Sequence, residues 1–119
     1  MKTILIVEDE KLLLEVFSDT LRETGYNIVT ALDGKTTLKH LEEAEPDLMI
    51  LDIKLPDVSG LELLKKTREI YPDIPIIICT AYDSFKSDVE VGEFKVSDYI
   101  VKPVDLKILR EKVKENLRN

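Results

Sequence analysis

The 119 residues carry 17 basic and 24 acidic side chains, a net charge of −7, with 44% apolar and 34% charged residues. That length fits one domain, residues 1–119, able to fold without disulfides or a structural metal, and the composition excludes a disordered chain. The negative charge disfavours direct binding to nucleic acid or an anionic membrane, and the single cysteine, Cys79, has no partner for an internal disulfide or a zinc site.

Taken in chain order, Thr3–Val7 (TILIV) is the first of five short β-rich runs. Glu8 and Asp9 cut it off, so no signal peptide is expected. No apolar run approaches the ~20 residues of a membrane span, and the chain is expected in the cytoplasm. Residues 10–24 have helical periodicity, with Leu13, Val16, Phe17, Thr20 and Leu21 on one face and Gly25 as the stop. Leu12 and Leu14 flank that stripe. A second strand is expected over 26–31, then the Asp33-Gly34 turn and a helix over 34–44 through Leu38 and Leu41. The only histidine, His40, sits there among charged neighbours and is expected as a solvated surface residue. The third strand is 47–51. Ser59 and Glu62 have the S-x-x-E spacing of a capping box, which predicts a helix from Gly60 to about Ile70, closed by Tyr71-Pro72. Residues 75–79 form the fourth strand, with Cys79 as a buried small hydrophobe. A weaker helical stretch covers 83–94, and Asp98–Val101 is the fifth strand. Residues 105–117 are amphipathic through Leu106, Leu109, Val113 and Leu117, with Asp105 as N-cap.

This alternation is (βα)₅. Three strands are nearly continuous Ile, Leu and Val, as expected for a parallel sheet covered on both faces. Short right-handed connections then give an α/β doubly wound domain. The unusual residues are the polar ones that follow the strands: Glu8 and Asp9, Asp52, Thr80 and Lys102. All of them fall at the carboxyl edge of a parallel sheet, where ligands of open α/β sheets bind. If the first and third strands are neighbours, three carboxylates converge and repel one another, a conflict that a hard divalent cation such as Mg²⁺ resolves. A cation, a hydroxyl and a metal around a central carboxylate suit phosphoryl transfer, with Asp52 as the nucleophile.

The segments ILIVEDE around Glu8-Asp9, DIKLPDVSGLELL from Asp52, ICTAY around Thr80 and DYIVKP ending at Lys102-Pro103 together resemble the receiver domains of two-component response regulators, the CheY-like superfamily. Order and spacing match over essentially the whole chain. The resemblance implies a flavodoxin-like five-stranded parallel sheet in the order 2-1-3-4-5. It implies Asp52 as phosphoacceptor, and Asp9 and Asp52 as direct Mg²⁺ ligands. Glu8 would ligate through water, and Lys54 through its backbone carbonyl. Thr80 and Lys102 would bind phosphoryl oxygens, Tyr99 would switch rotamer on activation, and the Lys102-Pro103 bond would be cis. Pro56 and Gly60 match the turn and helix entry after the acceptor. The implied donor is a phosphohistidine on a sensor histidine kinase or a histidine phosphotransfer protein. The implied readout is a conformational change acting on an output domain or protein target, with room for a dimer that forms on phosphorylation. Such a domain assists its own phosphorylation and dephosphorylation but turns over no separate substrate, so it is not an enzyme in the usual sense.

The chain departs from the family pattern in three places. Glu8 stands for the more frequent aspartate. Val104 replaces a bulkier residue. Lys95 occupies a position where many receivers carry glycine, and a left-handed backbone there would cost about 1 kcal/mol, so the preceding helix is expected to end differently, with Gly92 as an alternative break. In receivers the first helix commonly docks the kinase, which gives Leu12 and Leu14 a second reading beside that of core edge. Lys54 and Tyr82 are placed to crowd the approach of water to a phosphorylated Asp52. The alternative function is an interaction module that signals without phosphorylation. A haloacid-dehalogenase-type phosphatase is disfavoured because Lys54 stands where that chemistry needs a second acid.

Overall fold

The computed structural model describes residues 1–81 and 94–118. Apart from Phe94, the weaker helical stretch over 83–94 with its Gly92 lies outside the described residues, as does Tyr82. The elements are β1 (Thr3–Val7), α1 (Lys11–Glu23), β2 (Asn27–Ala31), α2 (Gly34–Glu43) and β3 (Leu48–Leu51). They continue with α3 (Gly60–Ile70), β4 (Ile76–Thr80), β5 (Asp98–Val101) and a C-terminal helix, α4 (Leu106–Leu117). All strand pairs are parallel and the order is β2-β1-β3-β4-β5. The expected flavodoxin-like sheet is therefore present.

Alternation along each strand divides the core in two. Leu5, Val7, Met49, Leu51, Ile76 and Ile78 pack with Leu41, Leu63 and Leu64 of α2 and α3. On the other face Ile4, Ile6, Ile50 and Ile77 pack with Phe17 and Leu21 of α1 and with Leu109 and Val113 of α4. Each such side chain contributes roughly 1.5–3 kcal/mol on burial, so covering both faces explains the continuous apolar runs. Cys79 belongs to the second cluster, and burial pushes its thiol up to about 12. Among the described residues no helix is long and apolar enough to cross a membrane.

Several local expectations are corrected. The buried residues of α1 are Leu14, Phe17, Ser18, Thr20 and Leu21, so the expected Phe17, Thr20 and Leu21 are covered, whereas Val16 is 44% exposed and Leu12 78%. Leu14 thus anchors the helix, and Val16 faces out. Gly25 does end α1, at φ +98°, donating its N–H to the Arg22 carbonyl at 2.9 Å. The Ser59–Glu62 capping box does not form: Ser59 makes no side-chain cap, and Glu62 pairs instead with Lys66 at 3.8 Å. The backbone sets this helix entry, because Lys54 and Ser59 form an antiparallel bridge and the Gly60 N–H donates to the Ile53 carbonyl at 2.8 Å. A Cβ at Gly60 would lie 2.3 Å from Ile53 backbone atoms, so only glycine fits.

His40 is half-buried rather than solvated. Its Nε2 donates to the Thr30 carbonyl at 3.0 Å and so satisfies a main-chain acceptor on β2, the edge strand. Lys95 does adopt the left-handed conformation, at φ +56°. Arg68 of α3 supports it, donating to the carbonyls of Phe94 (2.5 Å), Lys95 (3.1 Å) and Tyr71 (3.2 Å). The Lys102-Pro103 bond is cis, and Asp105 caps α4 through the Lys107 N–H at 2.8 Å.

Candidate functional site

Three ladder-like hydrogen bonds extend the sheet past its strand ends. The Glu8 N–H donates to Ala31 (3.0 Å), the Asp52 N–H to Val7 (3.0 Å) and the Lys102 N–H to Thr80 (2.8 Å). The backbones of Glu8, Asp52 and Lys102 are thereby positioned by the sheet itself. Thr80 ends β4 and is fully buried, Glu8 and Asp52 are nearly so, and Asp9 is exposed.

The side chains converge. Lys102 Nζ lies 2.7 Å from Glu8 Oε1 and 2.9 Å from Asp52 Oδ2. The other oxygens of both acids accept backbone N–H groups, Glu8 Oε2 from Glu10 at 3.1 Å and Asp52 Oδ1 from Lys54 at 3.1 Å. One oxygen each from Glu8, Asp9 and Asp52 lie within 4.8 Å of one another. A cavity of about 210 Å³ opens beside Asp9 and Asp52, lined also by Glu10, Lys54, Thr80, Ala81 and Lys102. Tyr99 stands apart from this cavity. It sits on β5 opposite Ile78 and packs on the α2–α3 side of the core.

Among the described residues three carboxylates converge here, and the Lys102 ammonium is ion-paired with two of them, Glu8 and Asp52. Burial pushes the Glu8 carboxyl up to about 7, with Asp52 adding repulsion, against the opposing hydrogen bonds from Lys102 and the Glu10 N–H. Burial also disfavours the Lys102 ammonium, but hydrogen bonds to Glu8 and Asp52 outweigh it and hold its pKa above the ordinary lysine value. Burial and the neighbouring Asp52 charge thus both favour the neutral form of the Glu8 carboxyl. An all-oxygen donor set of this kind fits a hard divalent ion such as Mg²⁺.

Reading the sequence alone misses Asp57 and Arg68. Asp57 accepts from Gly34 and Lys35 at the start of α2, and Arg68 holds the turn before β5. Both act across more than 20 residues of chain, which no local spacing signals.

The model of the response regulator receiver domain family matches residues 4–114. The probable transcriptional regulatory protein TcrX of Mycobacterium tuberculosis is 38% identical over 104 residues, 87% of this chain. The chain spans 44% of that relative's length. A CheY-like response regulator receiver domain protein from Methanospirillum hungatei superposes with a TM-score of 0.93 at 36% identity, covering 98% of this chain and 94% of that one. The response regulator TrrA of Thermotoga maritima, solved in complex with Mg²⁺ and BeF, gives a TM-score of 0.89 at 40% identity over 98% of this chain and 100% of that one.

Proposed function

The chain belongs to the response regulator receiver domain family of two-component signalling, and from that premise we propose that Asp52 is the phosphoacceptor of a Mg²⁺-dependent switch. The single observation that carries this is the environment of Asp52: a nearly buried carboxylate, one oxygen held by Lys102, the other by the Lys54 N–H, at the floor of an open cavity. In the reaction an Asp52 oxygen attacks phosphorus, the P–N bond of a donor phosphohistidine breaks, and the imidazole nitrogen leaves with the electron pair. The product is an acyl phosphate on Asp52. Lys102 is placed to pair with a phosphoryl oxygen once the Asp52 charge is spent, and the Thr80 hydroxyl at the same edge donates a second contact. Asp9, Asp52, Glu8 through water and the Lys54 carbonyl would hold Mg²⁺, which when bound neutralises phosphoryl charge. The donor is a sensor histidine kinase or histidine phosphotransfer protein. Thr80 and Tyr99 carry the change to an output domain or partner.

The test is incubation of the chain with acetyl phosphate and MgCl₂. A single phosphoryl adduct by intact mass is expected, and none when EDTA is present before the phosphodonor is added, while the circular dichroism spectrum stays unchanged. An adduct that forms equally well in EDTA would contradict the metal dependence. No adduct under any condition would favour an interaction module that signals without phosphorylation.

A further inference from the structure

The loop between Asp52 and α3 closes on itself through the Lys54–Ser59 bridge and the Gly60 N–H to Ile53 carbonyl bond. Those ties fix its base. Its tip is fixed by Asp57, whose Oδ1 accepts from the Gly34 N–H at 2.8 Å and whose Oδ2 accepts from the Lys35 N–H at 3.0 Å. Gly34 and Lys35 open α2, and their N–H groups are among those that a helix leaves without an internal partner. The local cap, Asp33, takes only the next one, the Thr36 N–H at 2.8 Å. Two acids from separate parts of the chain therefore divide the start of one helix.

The seat is close-fitting. A Cβ on Gly34 would come 1.9 Å from Val58 Cγ1, so the loop rests directly against the helix start. The Gly34 N–H, opposed by some burial and reinforced by Lys35, holds the Asp57 carboxyl below its ordinary range. Asp57 does not line the cavity, yet the loop it pins carries Lys54, whose N–H orients Asp52.

We propose that Asp57 is a positioning residue for the acid pocket, holding the Asp52–α3 loop against α2 so that the Lys54 backbone stays where the metal site needs it. This rests on the reading of Asp52, Asp9 and Lys54 as a Mg²⁺ site. A cap serving only α2 would behave differently, and Asp33 supplies the comparison. It caps the same helix but makes no bond to the loop.

The experiment is a MgCl₂ titration of the unsubstituted chain, Asp57→Ala and Asp33→Ala, followed through the backbone amide resonances of Asp52 and Lys54. Thermal melts are recorded in parallel. Both variants should lower the melting temperature. Asp57→Ala should weaken Mg²⁺ binding about tenfold, as loss of an outer-shell partner does, and Asp33→Ala should leave it unchanged. Equal weakening in both variants, or unsubstituted affinity in Asp57→Ala, would overturn the inference while leaving the functional reading intact. If Asp57→Ala does not fold, Asp57→Asn keeps one acceptor and should bind Mg²⁺ with intermediate affinity; affinity equal to that of the unsubstituted chain would overturn the proposal. No Mg²⁺ binding by the unsubstituted chain would sink the functional reading itself and this inference with it.

Discussion

The strand ends and the loops of this molecule place their polar residues by different means. Glu8, Asp52 and Lys102 inherit their positions from the sheet, each through one more rung of backbone hydrogen bonding. The tip of the Asp52–α3 loop, whose base is closed by backbone bonds, and the turn at Phe94–Lys95 are each held by a long-range side chain, Asp57 and Arg68. A position set by the sheet is shared among many contacts, so substitution there should change the chemistry and spare the fold. A position set by one side chain should fail with that side chain.

The largest effect that separates the two is expected at Lys102. Lys102→Met removes an ammonium bonded to both buried acids, and phosphorylation by acetyl phosphate should slow by a factor of about 10²–10³. The circular dichroism spectrum should keep its folded shape; a labelling rate near that of the unsubstituted chain would remove Lys102 from the mechanism. Gly60→Ala tests the loop side. The added methyl meets Ile53 backbone at 2.3 Å, and relieving that contact should cost about 3 kcal/mol, read from urea unfolding. An unshifted midpoint would mean that the loop yields freely.

The turn before β5 should respond in proportion. Arg68→Ala removes the donor to three carbonyls and should cost about 2 kcal/mol. Lys95→Gly relieves a left-handed residue and should stabilise the chain by about 1 kcal/mol. Thermal or urea unfolding of both variants decides this, and a destabilised Lys95→Gly would show that the lysine side chain itself holds the turn.

The same division explains what was legible beforehand. Continuous apolar runs announce strands buried on both faces, and a polar residue that ends such a run is already at the sheet edge. That logic singled out Glu8, Asp9, Asp52, Thr80 and Lys102 without coordinates. Side-chain partnerships across the fold leave no periodicity. The acid five residues after Asp52 reads as an ordinary turn residue until Gly34 and Lys35 are brought beside it. His40 reads as a surface residue until β2 turns out to be the edge strand. On α1, periodicity rightly placed Phe17, Thr20 and Leu21 on the buried face but put Val16 there in place of Leu14, and only the packing shows which of the two is covered. The S-x-x-E spacing at Ser59 misled for a further reason, since the backbone bond from Gly60 to Ile53 had already set the helix entry.

The smallest effect concerns how long a phosphorylated state lasts. Lys54 is exposed, and it lines the cavity where water must approach in line with the Asp52–phosphorus bond. Occlusion of that approach by its aliphatic stem predicts that Lys54→Ala shortens the lifetime of the acyl phosphate a few-fold. The decay is followed after removal of the phosphodonor. An equal or longer lifetime would mean that the positive charge, rather than occlusion, governs hydrolysis there.

The most direct measurement of the central claim is peptide-level mapping of the phosphoryl group after reaction with acetyl phosphate and MgCl₂. The modification should fall on the peptide containing Asp52 and on no other, and Asp52→Asn should carry none while retaining the thermal stability of a folded sheet. A stable adduct on another residue, or undiminished labelling of Asp52→Asn, would contradict the assignment.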